Sequence, residues 1–93
     1  MNKYETVLII DPNLDEEACN AVVEKFADMI SKEGSVEAKE AWGKRRLAYP
    51  IKKNNEGYYV QINFSSNPEF IDELTRVYNI TDERLKHIVV KVD

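Results

Sequence analysis

Lys44-Arg45-Arg46 and Lys52-Lys53 stand on either side of Leu47-Ala48-Tyr49-Pro50-Ile51, with Trp42 just ahead and Tyr58 and Tyr59 just behind. Guanidinium and ammonium groups interleaved with aromatic rings suit one chemistry in particular. They can hold a phosphate chain while ring faces meet unstacked bases. Between Lys39 and Lys53 the sequence has six basic residues and one acid, Glu40, a local charge of +5. The whole chain carries −4, so the remainder sums to −9. A basic patch on an acidic background aims one surface at a polyanion and keeps the rest away from it. The competing reading is a solvated strand edge whose lysines block edge-to-edge aggregation.

Catalytic or metal-binding groupings do not assemble. His87 is the only histidine and Cys19 the only cysteine. A zinc site needs three or four ligands, so neither a metal nor a cofactor is expected. Cys19 reads as a small helix residue and His87 as a surface or sheet-face residue. The three glycines, Gly34, Gly43 and Gly57, are isolated, so there is no phosphate loop. The loop Asp11-Pro12-Asn13-Leu14-Asp15 would repel a phosphate, which argues against a small acyl-phosphate hydrolase. The acids, for example Glu24, Asp28, Asp72 and Glu73, follow solvated helix faces. No catalytic residue is nominated, and no enzyme is expected.

The bulk properties agree with a small binding domain. Ninety-three residues, 43% of them hydrophobic, make one soluble domain spanning 1–93. No apolar run approaches the roughly 20 residues of a membrane-spanning helix. The opening Met-Asn-Lys-Tyr-Glu is unlike a signal peptide, and a lone cysteine fits a reducing compartment. The expected location is the cytoplasm, with no membrane partner.

The elements that must position the basic segment follow from periodicity. Lys3 to Ile10 reads as a first strand, ended by the Asp11-Pro12-Asn13 turn. A helix follows, with Asp15, Glu16 and Glu17 in its first turn and either Asn13 or Asp15 as cap. Ala18, Val22, Phe26, Met29 and Ile30 are its apolar stripe, and Gly34 its stop. Val36 to Tyr49 is extended, with Val36, Ala38 and Trp42 of one parity and Gly43 at a bulge or bend. Pro50 places that strand at a sheet edge. Asn54-Asn55-Glu56-Gly57 is the expected turn. The third strand sets Tyr58, Val60, Ile62 and Phe64 on one face and Tyr59, Gln61 and Asn63 on the other. Asn67 is expected to cap a second helix that starts at Pro68, with Phe70, Ile71, Leu74, Val77 and Tyr78 inward. Leu85 to Val92 is the fourth strand.

The order β-α-β-β-α-β is that of an α+β, ferredoxin-like split βαβ. Right-handed crossovers put both helices on one face of a four-stranded antiparallel sheet. The other face stays open, yet Val7 to Ile10 and Ile88 to Val90 are apolar at both parities. Exposed apolar sheet surface points to a covering partner, although scattered surface aliphatics would look the same. Gly57 to Phe64 is loosely like the aromatic strand of an RNA-recognition motif. That motif needs two or three stacking rings, and only Tyr59 is expected on the open face.

Trp42-Gly-Lys-Arg-Arg-Leu-Ala-Tyr-Pro-Ile-Lys-Lys53 with the following Gly57-Tyr-Tyr-Val60 resembles the signature of the bacterial small-subunit ribosomal protein number six family. The opening Lys3-Tyr-Glu-Thr-Val-Leu-Ile-Ile-Asp-Pro-Asn13 and the closing Leu85-Lys-His-Ile-Val-Val-Lys91 are similar to that family's outer strands. The resemblance spans essentially the whole chain. The charged C-terminal tail of many members is not seen after Val92-Asp93, so no role for one is expected. The resemblance implies a structural constituent of the small ribosomal subunit. It further implies binding to the central domain of small-subunit ribosomal RNA, as a heterodimer with small-subunit protein eighteen.

On that reading Lys44, Arg45, Arg46, Lys52 and Lys53 offer charge to phosphates, and the arginines can do so bidentately. Tyr4, Tyr59 and Lys91 are further candidates for the RNA surface. Trp42, Leu47, Tyr49 and Val89 are candidates for the protein partner, although Leu47 and Tyr49 also read as structural. Arg45 and Arg46 point to opposite sides of a strand, so they cannot share one task. The background charge of −9 makes RNA binding expected mainly within a complex. The alternative function is a small-molecule-binding regulatory domain of the same fold, which leaves the confined positive charge unexplained.

Overall fold

The structure, a computed structural model, describes residues 1–92; Asp93, the last position of the expected span, lies outside the described residues. The elements run β1 (Asn2–Ile10), α1 (Glu16–Glu33), β2 (Ser35–Ile51), β3 (Asn54–Ser66), α2 (Pro68–Asn79) and β4 (Arg84–Lys91). The sheet order is β2-β3-β1-β4, with every neighbouring pair antiparallel. β2 is an edge strand, where the missing N–H of Pro50 breaks no second ladder.

Local chemistry sets the helix ends. Asp15 accepts a hydrogen bond from the Ala18 backbone N at 2.7 Å, so it is the cap of α1. Asn13 instead turns back, its backbone N donating to Asp11 Oδ1 at 2.9 Å. Asn67 sits at the cap position of α2 with Pro68 behind it, but its side chain makes no capping bond. Its carbonyl serves instead, accepting from the Phe70 backbone N at 3.1 Å.

Both helices cover the same sheet face. Val22, Phe26 and Ile30 of α1 and Phe70, Leu74 and Tyr78 of α2 pack against Leu8, Ile10, Val60, Ile62 and Phe64. Full burial of such side chains is worth about 1.5–3 kcal/mol each. The core also holds a polar chain. The Tyr78 hydroxyl donates to Thr6 Oγ1 at 3.1 Å, and Thr6 Oγ1 donates to the Ile88 carbonyl at 3.0 Å. Burial pushes the Tyr78 phenol up to about 12, the Thr6 hydrogen bond opposing. His87 stands opposite Leu8 and stacks on Tyr78, with centroids 4.7 Å apart.

Three features depart from the sequence reading. The hairpin turn is Lys52-Lys53, both at positive φ (49° and 68°), between the paired Ile51 and Asn54. Positive φ at both central residues gives the turn whose twist suits a two-residue hairpin. Asn54 to Gly57 is therefore strand, despite its turn-forming composition. β2 also shifts register between Val36 and Ala38 and between Ala41 and Gly43, where Gly43 has φ +80°. Val36 thus faces Phe64 while Ala38 faces Asn63, and the expected common parity is lost. Finally, Thr6 and His87 lie on the core face, which moves Val89 there too: it is the partner of Thr6 and packs against the main core.

Candidate nucleic-acid and protein interface

The open sheet face is built from β1, β3 and β4 residues of one parity, with side chains from the edge strand β2. Tyr59 pairs with Ile9, and Val7 with Ile88. Trp42, swung onto this face by the bulge at Gly43, stacks on Tyr59 at 6.2 Å with planes 9° apart. The face therefore carries two parallel rings where one was expected. Ile88 and Val90 are 45% and 51% exposed beside Val7. Trp42 is 40% exposed, and its Nε1 donates to Glu40 Oε2 at 3.3 Å.

The six basic residues of the central segment are not equivalent. Lys39 is paired with Glu24 of α1. Lys44 stands opposite Tyr58 on the helix side, beside Asp15, Glu16 and Cys19. Arg46 is opposite Glu56. Arg45 is opposite Gly57 on the other side, as alternation requires, and its Nε donates to the Trp42 carbonyl at 3.2 Å. Arg45, Lys52 and Lys53 are exposed and have no acid partner among the described residues. A fourth cation, Lys86 of β4, joins this end of the open face. Its Nζ lies 3.1 Å from the Tyr49 hydroxyl and 5.5 Å from that ring's centroid.

Several nominated residues belong elsewhere. Tyr4 is 7% exposed and stacks on Phe64 at 5.6 Å, so it is core and offers no ring to RNA. Leu47 is 8% exposed and packs with Ile9 and Leu85, leaving almost no surface for a partner. Val89 is replaced on the open face by Ile88 and Val90. Lys91 is opposite Tyr4, six residues along β1 from the end where Ile10 meets Tyr58. At about 3.4 Å per residue that is roughly 20 Å from the hairpin end, too far to join its charge cluster. Lys86, Ile88 and Val90 are the residues that sequence reasoning missed. Their period-two spacing was available, but polar Thr6 and His87 on the buried face hid its phase.

Among the described residues, nothing in the geometry resembles a catalytic centre. No group of three metal-binding side chains exists among the described residues. Burial pushes the Cys19 thiol up, against the pull of Lys44, and makes it a poor nucleophile. A groove of about 850 Å³ between the end of α1 and the start of α2 is lined by Lys32, Glu33, Glu69 and Glu73 beside Met29, Phe70 and Val77, and Glu73 is paired with Arg76.

Fold and surface together define a class: a ferredoxin-like domain with helices on one face, a bare aromatic and aliphatic sheet face on the other, and a cationic hairpin beside it. Comparison with known proteins narrows this. The family model for ribosomal protein S6 matches residues 3–91. A small ribosomal subunit protein bS6 from Clostridium novyi is 55% identical over 91 residues, covering 97% of this chain and 96% of the relative. Its counterpart from Clostridium perfringens is 53% identical over 92 residues, covering 98% and 97%. The crystal structure of 30S ribosomal protein S6 from Thermotoga maritima superposes with a TM-score of 0.93 at 33% identity, covering 98% of this chain and 87% of that one. The chain belongs to the ribosomal protein S6 family. It is thus a small-subunit ribosomal protein of the cytoplasmic ribosome and not an enzyme.

Proposed function

We propose that the chain binds the central domain of small-subunit ribosomal RNA as one half of a heterodimer with small-subunit ribosomal protein eighteen. The observation that carries this reading is the layout of the open face. Exposed Trp42, Ile88 and Val90 offer apolar area to a protein, while Arg45, Lys52 and Lys53 at the adjoining hairpin end have no acid partner. Phosphate contacts of this kind position a protein on RNA rather than read sequence. The protein partner supplies further positive charge, because the acidic remainder of this chain opposes approach to RNA by itself. Lys44 and Arg46, on the other side of β2, make weaker contributions, Lys44 standing near Asp15 and Glu16 and Arg46 opposite Glu56. Tyr59, under Trp42, and Tyr49, 58% exposed, complete the partner surface.

The test is binding to a central-domain RNA fragment, with and without protein eighteen, across a salt series. With the partner, about four phosphate contacts give a slope of log affinity against log salt near −3. Arg45→Ala lowers the magnitude of the slope by about one, and Arg46→Ala changes it less. Tight binding by the isolated chain at physiological salt, or no binding in either condition, contradicts the proposal.

A further inference from the structure

Between the pairs Arg46–Glu56 and Ile51–Asn54, β2 places four residues, Leu47 to Pro50, opposite the single residue Asn55. The excess chain arches over the open face and closes on elements distant in sequence. Leu47 packs into a small second core with Ile9 of β1 and Leu85 of β4, flanked by Ile51 and Tyr59. Gly57 makes room for it: a Cβ there would lie 2.3 Å from Ile9 Cγ2 and 3.4 Å from Leu47 Cδ2. Further along the arch, Lys86 donates to the Tyr49 hydroxyl at 3.1 Å. On the opposite side of the hairpin, Asn13 Nδ2 donates to Asn54 Oδ1 at 3.1 Å. The cationic tip is thus tied to β1, to β4 and to the β1–α1 loop.

A two-stranded ribbon is marginally stable without such support. A wandering cationic tip would lose conformational freedom on meeting RNA, which weakens binding without removing any contact. We propose that the Leu47-Ala48-Tyr49-Pro50 arch is a latch, and that Ile9, Gly57 and Leu85 are positioning residues which aim Arg45, Lys52 and Lys53 at the phosphate chain without touching it. The inference rests on the RNA-binding reading above and assigns its geometry to buried, uncharged residues.

Leu85 is the sharpest probe, because it is buried and neutral and lies on a different element from every cation of the hairpin. In the full chain, Leu85→Ala and its conservative counterpart Leu85→Met are compared with the unaltered protein. Amide exchange is read in the free chain, and RNA affinity is read with protein eighteen across the salt series. Leu85→Ala should speed exchange at the ladder residues that bracket the arch, Arg46, Ile51, Asn54 and Glu56, by about tenfold or more while the β1–β3 ladder stays protected. It should also weaken RNA binding by about tenfold at every salt concentration and leave the salt slope unchanged, because no phosphate contact is removed. Leu85→Met should restore both. If Leu85→Ala does not fold, Leu85→Val replaces it, a smaller loss of the same buried contact. Faster exchange around the arch with unchanged affinity overturns the latch, as does exchange there that does not change. Failure of the unaltered protein to bind RNA overturns the previous reading instead, and the latch is then decided by exchange alone.

Discussion

His87 shows how one side chain can be structurally committed and still report on solution conditions. It faces the core opposite Leu8, stacks on Tyr78, and its Nδ1 is buried with no hydrogen-bond partner among the described residues. Burial, helped by the nearby Arg84 charge, holds its pKa below the ordinary 6.5. The unfolded chain therefore takes up a proton at higher pH than the folded one. Stability is intact above about pH 6.5 and is lost as pH falls through that value toward the lower folded pKa. Melting temperatures between about pH 7.5 and 5.5 should fall in the unaltered protein and fall less in His87→Phe, which keeps the ring stack. Parallel curves would show that His87 does not titrate differently on folding. His87 and Thr6 also explain the main misreading of the sequence. Alternation is read from hydrophobicity, and buried Thr6 with half-buried His87 on the adjacent strand reverses the apparent phase, which then points to Val89 instead of Ile88 and Val90. Tyr4 misled for the opposite reason: its hydroxyl suggests a surface, while its ring stacks on Phe64 in the core.

At the scale of elements, the β2–β3 hairpin is the feature that composition conceals. Its strands and its edge position were legible, because Pro50 and the alternation from Tyr58 to Phe64 leave little choice. Its turn was not, because Asn54-Asn55 and Gly57 have turn composition and Lys52-Lys53 does not. Left-handed backbone costs a side-chain-bearing residue about 1–2 kcal/mol. Two lysines holding it at the tip indicate that charge is valued there over local stability. Lys53→Gly separates the two effects. Relief of strain, less the entropy of an added glycine, should leave stability unchanged or raised by up to about 1 kcal/mol. RNA affinity should nevertheless drop, with the magnitude of the salt slope reduced by about one. Denaturant unfolding together with the salt series measures both. A destabilised variant with an unchanged slope would remove Lys53 from the interface. Gly57 has a different role from the expected one: it is needed where Leu47 and Ile9 close over β3, not for a turn.

For the whole molecule, the division of labour follows from which sheet face the helices take. Order of elements and right-handed crossovers put both helices on one side, and that much the sequence made plain. The open side then holds the features that the proposed function uses. Trp42 and Tyr59 are stacked near the centre, Ile88 and Val90 lie toward one edge, and Arg45 with the hairpin tip lies toward one end. The helix side is acidic: Glu16, Glu17, Glu24, Asp28 and Glu33 of α1 and Glu69, Asp72 and Glu73 of α2 outnumber the basic residues of those helices. On the proposed function, such a charge layout orients the domain as it approaches RNA and keeps the helix layer turned outward. Isotope-labelled chain, titrated first with protein eighteen and then with the RNA fragment while amide and side-chain shifts are followed, tests this division most directly. The first step should move Trp42, Tyr59, Ile88 and Val90, the second Arg45, Lys52 and Lys53, with the exposed helix residues still throughout. Shifts centred on α1 and α2, or RNA-induced shifts of the same size before the protein partner is added, would contradict it.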